Sequence, residues 1–292
     1  MSLQMVPLLP ERAEEAGHLI YEAFLDLSTR HAFEPVYESR ELCVGFVRFL
    51  ARLEGFTPFL ALEDGRPVAV NFLDGRDEAA GVGPVAVAVE AQGHGHGRRI
   101  MEALMDRAAE AGFRSVRLLQ QGYNMTSFSL YSSLGFEVKD LLALLRGRPS
   151  PGEEPRGDVM EAVASDLEDM DRLSVEVLGL SRRHDIETMM AVAAPLLVER
   201  HGRLAGYLCR FVGGESSYLG HAAARDAADL RDLIIGAART FPRDLRLPMP
   251  VSQPELLRWL LRCGFAVKEL DTLMAWGPYE APRGPYLPSP WY

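Results

Sequence analysis

The residues of this 292-residue chain most suited to chemistry lie in Gln92-Gly93-His94-Gly95-His96-Gly97, followed by Arg98 and Arg99. Alternating glycines let backbone N–H groups close around an anion, and a helix beginning just after them adds the positive end of its dipole. Two arginines in a first helical turn oppose that dipole, each at a cost of about 0.3–1 kcal/mol when exposed. A bound diphosphate reverses the sign, while snorkelling into solvent is the plain alternative, above all for Arg99.

Several anion-binding chemistries are excluded by the neighbours of the loop. A phosphate-binding P-loop requires Lys-Ser/Thr after its last glycine, where Arg98-Arg99 stands. A dinucleotide fold requires an acidic residue closing a second strand about 20 positions later, and Arg117 occupies that distance. His94 and His96 have no third histidine or cysteine nearby, so no metal is expected. Cys43, Cys209 and Cys263 are odd in number and widely separated, as buried reduced thiols would be.

The elements around these residues alternate between the two periodicities. Apolar spacing predicts helices over 10–27, 40–53 and 98–111, the last with Ile100, Leu104, Ala108 and Ala111 on one face and Gly112 beyond its end. Strands are predicted at 58–63 and 67–73 around the turn Asp64-Gly65, then at 82–89 (VGPVAVAV), 115–119 and 136–145, with a short helix over 126–133. Strands interleaved with helices give a mixed α/β sheet.

The chain also repeats itself. Gly135-Phe136-Glu137-Val138-Lys139 recurs as Gly264-Phe265-Ala266-Val267-Lys268, and LALEDGRPVA from Leu60 recurs as LLVERHGRLA from Leu196. The first match is offset by 129, and in the second Gly65 corresponds to Gly202 at an offset of 137, so the second copy is shorter in the stretch that carries the glycine loop in the first. The proline- and glycine-rich residues 148–158 read as a linker between a domain at 1–147 and a second at 159–277. A tail at 278–292, rich in proline and aromatics, is not expected to form a regular element.

A net charge of −10 disfavours nucleic acid and anionic lipid and mildly favours a cationic substrate. With no apolar leader and no long uncharged run, neither secretion nor membrane insertion is expected, and a cytoplasmic location follows.

Val85, Val87, Gln92, Gly95 and Gly97 together resemble the acetyl-CoA signature of the GNAT superfamily, [R/Q]-x-x-G-x-[G/A] after a V-x-V strand. Asn124, Ser127, Tyr131 and Gly135-Phe136 resemble the family's N-x-x-A-x-x-x-Y-x-x-x-G-F, with Ser127 where alanine is usual. The resemblance implies an α/β (α+β) fold of two tandem domains, each a mixed, mostly antiparallel sheet flanked by helices. It implies acetyl-CoA as cosubstrate, no metal, an amine acceptor, and a monomer or homodimer.

On that resemblance, backbone groups of Val85, Ala86 and Val87 align the pantetheine arm. Gln92, Gly93, His94, Gly95, His96, Gly97 and Arg98 surround the diphosphate, Asn124 and Ser127 lie on the arm, and Tyr131 faces the sulfur as proton donor. A phenol near pKa 10 giving its proton to a thiolate near 8.5 faces about 2 kcal/mol uphill. The general base is left open between a relayed water and Glu34, Glu38, Asp77 or Glu78, and residues 28–40, with Tyr37, are where the family builds its acceptor site. The second copy has Gln253 and Leu260 at the Asn124 and Tyr131 positions and no G-x-G. A non-catalytic acyl-CoA-binding or regulatory module is the competing reading.

Overall fold

In a computed structural model, which describes residues 3–213 and 216–291, the chain divides into two compact units. The first comprises residues 3–137 with Ala275–Pro278 and Trp291; the second comprises Val138–Met274 and Tyr279–Pro290. Both are mixed sheets, mainly antiparallel, flanked by helices.

In the first unit β1 (Gln4–Pro7), β2 (Phe56–Glu63), β3 (Arg66–Asp74), β4 (Ala80–Val82) and β6 (Val116–Gln121) lie in that order, and β5 (Ala86–Val87) pairs with β3. All these pairings are antiparallel except β4 with β6, which is parallel and limited to Ala80–Gly81 against Val116–Arg117. Helices α1 (Ala13–Arg30), α2 (Arg40–Leu50), α3 (His96–Glu110) and α4 (Met125–Ser133) complete it. Helix α2 starts where Ser39 Oγ accepts from Leu42 N at 3.2 Å. Helix α3 buries Ile100, Met101, Leu104 and Ala108, while Ala111 ends it exposed and Gly112 follows at φ +85°.

The run VGPVAVAV is not one strand. Pro84 has no N–H to donate, and Gly83 N turns back to Phe72 O at 2.8 Å, so pairing breaks between β4 and β5.

The second unit orders its strands as β13 (Ala266–Trp276), β7 (Glu137–Gly147), β12 (Leu245–Pro250), β11 (Ser216–Ala224), β10 (Arg203–Gly213), β9 (Leu196–Arg200) and β8 (Val159–Glu161). Around them lie α5 (Leu167–Leu178), α6 (Arg183–Val192), α7 (Ala227–Thr240) and α8 (Pro254–Arg262), over a core that includes Leu208, Leu233, Ile234, Leu247 and Leu260.

The duplication is visible in the strand register. Leu73↔Val82 and Ala69↔Val87 in the first unit have counterparts in Arg210↔Leu219 and Gly206↔Ala224, each 137 residues later. The parallel pair Ala80↔Val116 corresponds to Ser217↔Leu245, by which point the offset of the second partner is 129. The lost residues lie mainly before the helix: 88–95 separate β5 from α3, whereas Arg225 and Asp226 alone separate β11 from α7.

The units do not coincide with the sequence halves. Leu142–Gly147 of β7 pair antiparallel with β12, so the compact boundary falls at Glu137 and not in residues 148–158. That proline-rich segment is itself held in the second unit, where Ser150 Oγ donates to Cys263 O at 3.0 Å and Arg156 donates to Asp229 and Asp232 at 2.8 and 3.0 Å. The tail also differs from expectation. Tyr286–Leu287 form a short strand, β14, on β11, where Pro285 needs no donor at the strand end and Tyr286 and Leu287 are both buried. Tyr292 lies outside the described residues.

Candidate functional site

The glycine loop turns through Gly93 and Gly95 at φ +80° and +83°, a conformation that L side chains resist, and enters α3 directly. Gln92 to Gly95 are exposed. Gln92 pins the start of the turn, its Nε2 donating to Val87 O at 3.2 Å while Arg30 donates to its Oε1 at 3.4 Å.

Beyond that point the turn offers donors with no takers. The first return bond into the helix is Arg99 N to Gly95 O at 3.2 Å, and among the described residues no hydrogen bond is made by the amides from Gly93 to Arg98. His96 is 5% exposed, and its Nδ1 has no hydrogen-bond partner among the described residues. A cluster of orphaned donors at a helix N-terminus suits a diphosphate. Arg98 stays on the surface, donating to Ser133 Oγ at 2.5 Å and lying 3.6 Å from Glu102. Gly97 is not required by packing, since an added Cβ would rest 3.5 Å from Leu130 Cδ2.

Val85, Ala86 and Val87 lie beside this loop in sequence and in space. One edge of β5 pairs with β3, and among the described residues no strand pairs with the other. Because β4 and β6 part after two residue pairs, that free edge faces a splay in the sheet.

Asn124 is the N-cap of α4, with Oδ1 accepting Ser127 N at 3.1 Å. Ser127 Oγ donates to Asn124 O at 3.0 Å and accepts from Gln120 Nε2 at 3.1 Å. Gln120, which the sequence reading missed, is therefore the buried brace of this turn; nothing local in sequence marks it. Tyr131 follows one helical turn later, 8% exposed, and burial pushes its phenol well above the ordinary range. The phenol thus holds its proton more firmly than a free tyrosine.

A further aromatic group was also missed. Phe33 stacks on Tyr123 at 4.1 Å and 12°, with His31 5.6 Å from the same ring and Gln121 Nε2 donating to the Tyr123 hydroxyl at 2.8 Å. It ties the segment after α1 to the residue preceding Asn124. Tyr37 packs edge-on against Phe24 at 5.6 Å. Of the candidate bases, Glu34, Glu38 and Glu78 are exposed and Asp77 is half-buried. Asp74, buried opposite Gly81, is taken up by Arg76, which donates to both its oxygens at 2.8 and 2.7 Å.

The second unit closes the equivalent features. Helix α7 is capped from within, Asp226 Oδ1 accepting Asp229 N at 2.8 Å, so a carboxylate stands where the first unit leaves amides open. Among the described residues no group of three or more His, Cys, Asp or Glu is placed to hold a metal, and no helix is long and apolar enough to cross a membrane.

Residues 15–136, which span the open loop, β5 and Tyr131, match the Acetyltransferase (GNAT) family model. This segment is a GNAT acetyltransferase domain. The GNAT fold extends over both units. A GCN5-related N-acetyltransferase from Sphaerobacter thermophilus superposes with a TM-score of 0.67 at 16% identity, covering 96% of each chain. A proposed acetyltransferase from Pyrococcus horikoshii does so at 0.74 and 14% identity, covering 94% of this chain and 89% of that one. A tandem GNAT protein from the clavulanic acid biosynthesis pathway gives 0.64 at 13% identity, over 96% of this chain and all of that one. These likenesses establish a tandem GNAT fold. No curated protein sequence matches the chain at a significant level.

Proposed function

We propose that the first unit transfers the acetyl group of acetyl-CoA to a primary amine of a small molecule or peptide by direct attack. The observation that carries this reading is the run of unpaired amides from Gly93 to Arg98 at the head of α3, in a domain of the acetyltransferase family. Those donors hold the diphosphate.

The free edge of β5 at Ala86 and Val87, with Val85 just before it, then receives the amide-bearing pantetheine arm as a strand would be received, with the Asn124 side chain and Ser127 alongside. Acetyl-CoA supplies an activated thioester. A backbone N–H at the splay donates to the thioester's carbonyl oxygen as negative charge develops there, a contribution worth about 10²–10³ in rate in other enzymes. The amine nitrogen bonds to the carbonyl carbon as the C–S bond breaks; the sulfur receives the Tyr131 proton, the proton shed by the nitrogen passes to a relayed water or to one of Glu34, Glu38, Asp77 and Glu78, and the tyrosinate is reprotonated from solvent. Because burial strengthens the phenol's hold on that proton, transfer accompanies C–S cleavage instead of preceding it.

The lack of any carboxylate or imidazole on β4 and β5 favours a second reading, a non-catalytic acyl-CoA-binding module. Thiol release from acetyl-CoA with a panel of amines separates the two. Turnover with an amine, lost together with CoA binding in Gly95→Glu but retained in Arg225→Glu of the second unit, supports the enzyme. Tight CoA binding without turnover, and with no change in Tyr131→Phe, supports the module.

A further inference from the structure

We infer that the second unit's cofactor-arm site is occupied by the chain's own tail, with residues 285–287 standing in for a pantetheine arm, so that each chain takes a single CoA. The inference rests on the reading of the first unit for the identity of the arm site.

The equivalence is set by register. Val85, Ala86 and Val87 correspond, 137 residues on, to Ala222, Ala223 and Ala224. On β5 the edge away from β3 is unpaired among the described residues; on β11 the same edge is taken. Tyr286 lies opposite Ala223, Leu287 opposite Ala222, and Ala224 N donates to Pro285 O at 2.9 Å. β11 and β12 pair only over Ser217–Tyr218 and Leu245–Arg246 before they part, as β4 and β6 do, and β14 also packs against β12.

The outer edge of the inserted strand is held by the counterpart of Asn124. Gln253 Nε2 donates to Tyr286 O at 2.8 Å, and Tyr286 N donates to Gln253 Oε1 at 3.1 Å. In an antiparallel pair a residue between two bonded partners turns its own N–H and C=O outward, and one primary amide satisfies both. A pantetheine arm presents the same alternation of amide N–H and C=O, so the tail supplies in cis what a cofactor supplies in trans.

The fit is close. Tyr286, Leu287 and Ser289 are buried, and a Cβ added at Gly220 would lie 2.7 Å from Pro288 O. Gly220 also sits at φ +152°, so it accommodates both the bend and the tail crossing over it. No diphosphate loop is left to compete, since Asp226 caps α7 directly after Arg225.

Hydrogen–deuterium exchange of the full chain, with and without saturating CoA, tests this. Residues 217–224 are expected to be protected without CoA and unchanged by it, while residues 85–98 gain protection. Leu287→Pro removes a strand donor and should speed exchange of Ala222–Ala224 by about tenfold, the loss of roughly one backbone hydrogen bond. Gln253→Leu, which leaves the strand in place but releases its outer edge, should speed it several-fold and decides the matter if Leu287→Pro unfolds the unit. Unchanged exchange in Gln253→Leu, protection of 217–224 that appears only on adding CoA, or two CoA bound per chain would overturn the inference. A failure of residues 85–98 to respond to CoA would count against the proposed activity and leave the tail assignment standing on the two variants.

Discussion

Asn124 Oδ1 accepts the backbone N–H of Ser127 at 3.1 Å, so the oxygen of this side chain is spent on capping α4 and its NH₂ is what remains to offer. Two substitutions separate these duties. Asn124→Asp keeps the cap and should leave stability within about 0.5 kcal/mol, yet it puts a carboxylate where the proposed arm would meet a donor, and should raise the CoA Kd by about tenfold or more. Asn124→Ala should lose about 1 kcal/mol of stability as well as affinity. Denaturant unfolding and calorimetry on both variants read the two effects apart.

Gly95 and Gly97 are expected to behave differently. Gly95 at φ +83° needs its conformation, so Gly95→Ala should cost about 1–2 kcal/mol and loosen the loop. Gly97 lies inside α3 with room for a methyl group, and Gly97→Ala should stabilise the protein by up to about 1 kcal/mol while changing CoA affinity only a few-fold. Thermal unfolding and CoA titration of the pair would show whether the turn or the space above it limits binding.

Tyr131 is buried with its phenol held above the ordinary range, so it remains protonated up to at least about pH 10. A kcat profile should therefore show no descending limb from this group below that pH. Tyr131→Phe should leave stability nearly unchanged and lower kcat by about 10²–10⁴-fold, with a much smaller effect on CoA affinity. A reduction confined to binding would mean the hydroxyl contacts the arm and moves no proton.

What could be read from the sequence was local. The candidate residues at 92–98 and 124–136 stand at fixed short spacings, and α3 declares itself through Ile100, Leu104 and Ala108. What escaped was set by distant partners. The run EVKDLLALLRG reads as a strand in any setting, but only its pairing with β12 assigns most of it to the second unit. Tyr286-Leu287 is too short and too proline-flanked to show alternation, and it becomes a strand because β11 and Gln253 offer it bonds. Gln120 looks like any polar residue in a strand until the turn it braces is folded beside it.

The buried polar group around His221 shows the same dispersal and carries a pH dependence. Tyr207 Oη lies 3.0 Å from His221 Nε2, and Asp185, 3.5 Å from Nδ1, is bonded to Arg182 at 2.8 Å. Removal from water is the main force on the imidazole and pushes its pKa down to about 4; the Asp185 carboxylate opposes this, and Arg182 adds to it. The ring is therefore neutral in the folded unit and gains a proton on unfolding at any pH between about 4 and the ordinary 6.5. In that window the unfolded chain binds more protons, so stability is full above pH 6.5 and falls as pH drops, by about 3 kcal/mol in total once pH 4 is reached. His221→Gln cannot take up that proton. Its unfolding free energy should fall less steeply than the wild type's over this range, and parallel curves for the two proteins in denaturant titrations at pH 7, 6, 5 and 4.5 would refute a neutral buried imidazole.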